Sequence, residues 1–161
     1  VRIWDATTGT PLHHLTGHTG TVWSVAYSPD GTRLLTGGVD ASVRIWDATT
    51  GTPIHHLTGH TGTVWSVAYS PDGTRLLTGG VDASVRVWDA ATGAPVGCTI
   101  VILPSDELAV FDAVTHALVG ASAGAWRWLG WSVVQDGHRT RLPAETYGSL
   151  PPLPRPRPTP L

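Results

Sequence analysis

Apolar and polar residues alternate with a period of two along short runs of this chain, and the runs themselves recur. VWSVAYS (Val22–Ser28) is rich in β-branched and aromatic residues and stops at Pro29-Asp30-Gly31, a reversal signal. RLLTGG (Arg33–Gly38) follows and ends at a tight turn around Val39-Asp40-Ala41. SVRIWD (Ser42–Asp47) alternates and turns at ATTG (Ala48–Gly51), and TPIHHLTG (Thr52–Gly59) completes the run. Helical periodicity is absent from this region. The pattern predicts four antiparallel strands in a meander. Both faces of that meander carry apolar residues, which calls for a neighbouring sheet on each side.

The same text is written twice. Residues 1–42 reappear as residues 43–84 with one change, Leu12 becoming Ile54. A third copy opens at Val85 (VRVWDAATG) and departs from the pattern after Gly97. A period of 42 residues suits one four-stranded unit of a stacked array. Further on, ELAVFDAVTHALVG (Glu107–Gly120) overlays VRVWDAATGAPVG with Phe111 on Trp88 and Asp112 on Asp89, at an offset of 23. About half a unit is therefore missing there. TIVIL, LAVFD and ALVGAS read as its strands, and WRWLGWSVV, the turn QDGH and RTRLPA as a closing hairpin. From Gly148 the chain is too rich in proline to pair in a sheet and reads as an extended, exposed tail of polyproline II character.

Composition narrows the function classes. At 161 residues with a net charge of −2 and its basic residues dispersed, the chain offers no electrostatic footprint for nucleic acid or anionic membrane. The longest clean apolar run, Thr99–Leu103, is far short of a membrane span. One cysteine, Cys98, excludes an internal disulfide framework. Met, Lys and Asn are absent while Arg, Ala, Gly and Pro abound, a bias expected of a GC-rich bacterial gene. Because the text opens in mid-repeat, it reads as the tail of a longer protein, and the expected location is the cytoplasm.

Gly17-His18 and Gly59-His60, with Trp4-Asp5, Trp46-Asp47 and Trp88-Asp89, resemble WD40 repeats, strongly over residues 1–97 and weakly over 98–145. The resemblance implies an all-β fold: a partial, open β-propeller of four-stranded antiparallel blades with a proline-rich tail. Its expected parts are half a blade at 1–16, a full blade at 17–58, a blade at 59–97, a degenerate blade and closing hairpin at 98–145, and the tail at 146–161. It also implies two structural hydrogen-bond tetrads: Trp46, Thr36, His18 and Asp40, then Trp88, Thr78, His60 and Asp82. In each, Asp accepts from His, His accepts from Thr, and Thr accepts from the indole. Each link satisfies a group whose unpaired burial would cost about 1–3 kcal/mol. An Asp–His–Thr chain also resembles a hydrolase triad, but its hydroxyl is committed to an indole and no oxyanion hole is indicated.

The remaining candidates carry two readings each. Trp23 and Trp65, with Thr21, Val39, Thr63 and Val81, match family positions near the top entrance of the channel that contact partners; the alternative is packing between blades. Trp126, Trp128 and Trp131 lean towards core or cap. The pairs His13-His14 and His55-His56 read as solvated outer-strand residues, since strand neighbours point to opposite faces and two ligands are too few for zinc. Pro151-Pro152-Leu153-Pro154 is a PxxP segment, with Pro156 where a basic residue would be wanted. The expected function is a non-enzymatic protein–protein interaction scaffold, with no cofactor and no metal. The alternative is the sensor or regulatory arm of a larger bacterial signalling ATPase or protein kinase. Uncovered blade faces are expected to make the chain self-associate.

Overall fold

The computed structural model describes residues 1–122, 125, 130–135 and 138–143, the last two segments by backbone pairing alone. Trp126, Trp128 and the proline-rich segment 146–161 lie outside the described residues, as does the side chain of Trp131. The chain divides into two compact units, Val1–Gly97 and Cys98–Leu161.

In the first unit, β1 (Arg2–Trp4) and β2 (Pro11–His14) form a two-stranded sheet. β3 (Val22–Tyr27), β4 (Arg33–Gly38), β5 (Val43–Asp47) and β6 (Pro53–Leu57) follow as an antiparallel meander in sequence order. β7 (Val64–Tyr69), β8 (Arg75–Gly80) and β9 (Ser84–Asp89) repeat its first three strands. Beyond β9 an isolated antiparallel bridge joins Trp88 to Pro95. The all-β architecture expected from the alternation is the one observed.

Turn chemistry sets the strand ends. After β5, Asp47 Oδ1 accepts from the amides of Thr49 (2.9 Å) and Thr50 (2.7 Å), and Gly51 takes φ of 72°. The aspartate of each Trp-Asp pair is thus a turn builder. The β3–β4 turn is tied by Asp30, which accepts from the Ser28 hydroxyl at 2.6 Å and the Thr32 amide at 3.0 Å.

The sheets of this unit stack through their faces. One face of the β3–β6 sheet presents Leu34 and Trp46, which meet Ile3 and Leu15 of the preceding hairpin. The other presents Leu35, Val43, Ile45 and Leu57, which form one cluster with Val64, Val67, Leu76 and Trp88 of the next blade. Gly37 allows the approach: a Cβ there would lie 2.7 Å from Val64 Cγ1 and 2.9 Å from Val67 Cγ1. Arg33 Nη1 donates to the Ala90 carbonyl (2.8 Å) and the Val67 amide to Ser24 Oγ (3.2 Å), so polar bonds cross the same seam.

The second unit holds β10 (Cys98–Leu103), a 3₁₀ turn at Pro104–Asp106, β11 (Glu107–Asp112) and β12 (Leu118–Ala121), paired in antiparallel order. Asp112 accepts from the amides of Val114 (3.0 Å) and Thr115 (2.7 Å), the same turn as at Asp47. A hairpin of β13 (Gly130–Gln135) and β14 (His138–Pro143) follows. Among the described residues no helix is long and apolar enough to cross a membrane.

Candidate functional site

Each blade of the first unit carries a hydrogen-bonded chain from its turn to its core. Trp46 Nε1 donates to Thr36 Oγ1 at 2.9 Å, and the Thr36 hydroxyl donates to His18 Nε2 at 2.8 Å. His18 Nδ1 donates to Asp40, 3.0 Å from Oδ2 and 3.1 Å from Oδ1. The tautomer follows from the partners, because a carboxylate can only accept at Nδ1. Trp88, Thr78, His60 and Asp82 repeat the arrangement at 2.9, 2.8 and 3.0 Å. Thr36 is fully buried, so its hydroxyl, taken up on both sides, meets no solvent.

Two further participants were not anticipated. Ser42 Oγ donates to Asp40 Oδ1 at 2.8 Å and the Thr19 amide donates to Oδ2 at 2.9 Å; Ser84 and Thr61 do the same for Asp82. These bonds fasten the β4–β5 turn, where Ala41 holds φ of 58°, a left-handed conformation that costs a residue with a Cβ about 1 kcal/mol or more. Burial pushes the Asp40 carboxyl up, but the donors Thr19, His18 and Ser42 outweigh it and hold it at about 2. Asp82 is held at about 2 for the same reasons.

One edge of the stacked sheets is apolar and open. Trp23 and Trp65 are 63% and 61% exposed, and Val39 and Val81 are 47% exposed each. Thr21 is exposed beside them and Thr63 half-buried. Trp23 falls at a register shift between Val22, opposite Gly38, and Ser24, opposite Gly37; Trp65 sits at the matching shift. A β-bulge of this kind re-aims the extra side chain. Here it turns an indole outward from the strand that carries it. Of the two readings for these tryptophans, burial between blades is not what the geometry shows.

Residues 9–47 and 51–89 match the family model for the WD domain, G-beta repeat (WD40). The chain belongs to the WD40-repeat family. The paired matches fall on successive copies of the 42-residue repeat, as expected of a tandem array. WD40 repeats generally mediate protein–protein contacts.

On the outer strands of this WD40 chain His14 and His56 are exposed as expected, whereas His13 and His55 are half-buried and bonded. His13 Nε2 donates to the Thr49 carbonyl at 2.7 Å and His55 Nε2 to the Ala91 carbonyl at 2.8 Å. Each bond spans 36 residues and joins an outer strand to the turn of the following blade. Alternation alone could not reveal this, because the acceptor is a backbone carbonyl in the neighbouring sheet. Among the described residues no group of three or more His, Cys, Asp or Glu side chains is placed to hold a metal ion.

The network has a pH signature. Burial holds His60 below its ordinary value of 6.5, against the attraction of Asp82 and with help from Arg86. Unfolding lets this imidazole take a proton that the folded chain resists. Its contribution is therefore full above about pH 6.5 and falls as pH drops through the lower folded value. Asp40 and Asp82 act in the same sense further down, contributing fully above 3.8 and losing that contribution towards about 2. The expected denaturant midpoint declines from neutrality in two stages, and His60→Gln flattens the upper one. A midpoint that rises on acidification would contradict the network.

Proposed function

We propose that this WD40 chain is a non-enzymatic protein–protein interaction scaffold whose partner contacts the open edge formed by Trp23, Trp65, Thr21, Thr63, Val39 and Val81. The two networks of His18, Thr36, Asp40 and Trp46 and of His60, Thr78, Asp82 and Trp88 have a structural role beneath it. They hold the turns that carry Val39 and Val81, while the bulges present the indoles. The observation that carries this reading is the outward exposure of two equivalent tryptophans one blade apart. Tryptophan is among the residues most enriched at binding hot spots, and rigid aromatic anchors lose little entropy when they bind. The turn aspartates beneath the edge are already committed to internal donors, so recognition there is chiefly apolar.

Selection of a displayed peptide library on the intact chain tests this reading. Peptides recovered on the native protein are expected to lose about 30-fold or more in affinity for Trp23→Ala/Trp65→Ala, in line with a hot-spot loss near 2 kcal/mol. Both side chains are exposed, so the variant should unfold at nearly the same denaturant concentration as the native chain. Peptides that bind the variant undiminished would place the interaction surface elsewhere.

A further inference from the structure

The repeats make it possible to see one surface both covered and bare within a single chain. Leu35 is fully buried at the seam between the 17–58 and 59–97 blades, while its counterpart Leu77 is 49% exposed. Gly37 has Val64 and Val67 against it, whereas nothing lies within 4 Å of a Cβ built at Gly79. On the opposite face Val67 is 7% exposed and its counterpart Val25 is 55% exposed. Tyr69 is half-buried and Tyr27 is exposed. The bare residues are thus the two halves of a seam this chain already makes with itself, in identical local sequence.

We propose that a second copy of this chain docks head to tail, its Val22, Val25 and Tyr27 face seating on the Leu77 and Gly79 face of the first. The contact reproduces the seam at Gly37, including a second Val25 amide bonded to Ser66 Oγ as Val67 bonds to Ser24. It is heterologous: each copy uses one face as donor and the other as acceptor, so assembly continues until a ring closes or the chains run out. This goes beyond partner binding at the tryptophan edge and uses different residues.

The β1–β2 hairpin sets a barrier to this contact. Ile3 and Leu15 cover Leu34 and Trp46, just where the first copy's Val85 and Val87 must lie after docking. The hairpin must therefore release from the incoming copy. It is the weaker competitor, because β1 pairs with β2 alone among the described residues while β9 is held along its length by β8.

Sedimentation velocity on the full chain tests the proposal. The native chain is expected to gain mass steadily with concentration. Leu77→Arg and Val25→Arg, each on an exposed side chain, are each expected to remain at the 17.0 kDa of one chain. Mixed in equal amounts they should form a complex of twice that mass and go no further, since each retains the face the other lacks. A native chain that stays monomeric at every concentration overturns the proposal. So does a mixture that forms no such complex while both variants unfold cooperatively.

Discussion

Trp46→Ala is expected to cost about 3–5 kcal/mol, a large share of the roughly 5–15 kcal/mol that holds a typical domain together. The indole is 1% exposed and packs with Ile3, Leu15 and Leu34. Its N–H also ends the chain that runs through Thr36 and His18 to Asp40. Truncation therefore opens a cavity and strips a donor from a buried hydroxyl. Trp46→Phe separates the two effects, since it keeps most of the volume and loses the N–H. It is expected to cost about 1–2 kcal/mol. The same substitution at Trp4, which is 50% exposed in an identical VRIW context, should change stability by less than about 1 kcal/mol. Urea denaturation followed by circular dichroism reads all three, and equal losses at Trp4 and Trp46 would mean that stacking contributes nothing to the difference.

The second large effect concerns Leu35 and Leu77, which sit in the same RLLTGG strand of successive copies. Leu35→Ala removes a fully buried side chain from the cluster that joins two blades and is expected to cost about 2–5 kcal/mol. Leu77→Ala, at a position half open to solvent, should cost no more than about 1 kcal/mol when the chain is dilute enough to be monomeric. Local propensity is the same at both sites. The gap between the two measurements therefore reports what the neighbouring sheet contributes.

Much of this fold was readable from the chain because its signals are local. Pro29-Asp30-Gly31 and Ala48–Gly51 mark turns by residue type, and alternation between them marks strands. The repeat then shows that one reading applies twice. His18, Thr36, Asp40 and Trp46 stand out as a group through the resemblance to WD40 repeats, since recurrence alone marks every residue of the unit equally. Ser42 carries no such signal, because a serine at a strand start has many ordinary uses and its link to Asp40 depends on how the turn closes. For Trp23 and Trp65 the chain leaves two readings open, partner contact and packing between blades, and alternation does not choose between them. Simple alternation assigns Trp23 to a face, but the bulge opposite Gly37-Gly38 changes its direction, and a bulge is a property of pairing between strands. His13 escaped for a related reason: its acceptor lies in the next sheet. What depends on one strand and its turns can be read from the chain, whereas what depends on the seam between sheets cannot.

That seam is best tested where a single methyl group meets it in one copy and open space in the other. Gly37→Ala places a Cβ within 2.7 Å of Val64 and is expected to lower stability by about 1–3 kcal/mol. Gly79→Ala meets nothing within 4 Å and, in the monomer, should be neutral or stabilising by up to about 1 kcal/mol. Denaturant unfolding of the two variants side by side measures the difference. Opposite responses are what stacked blades require; equal losses at both glycines would contradict a fold held together by sheets that hide their apolar faces against their neighbours.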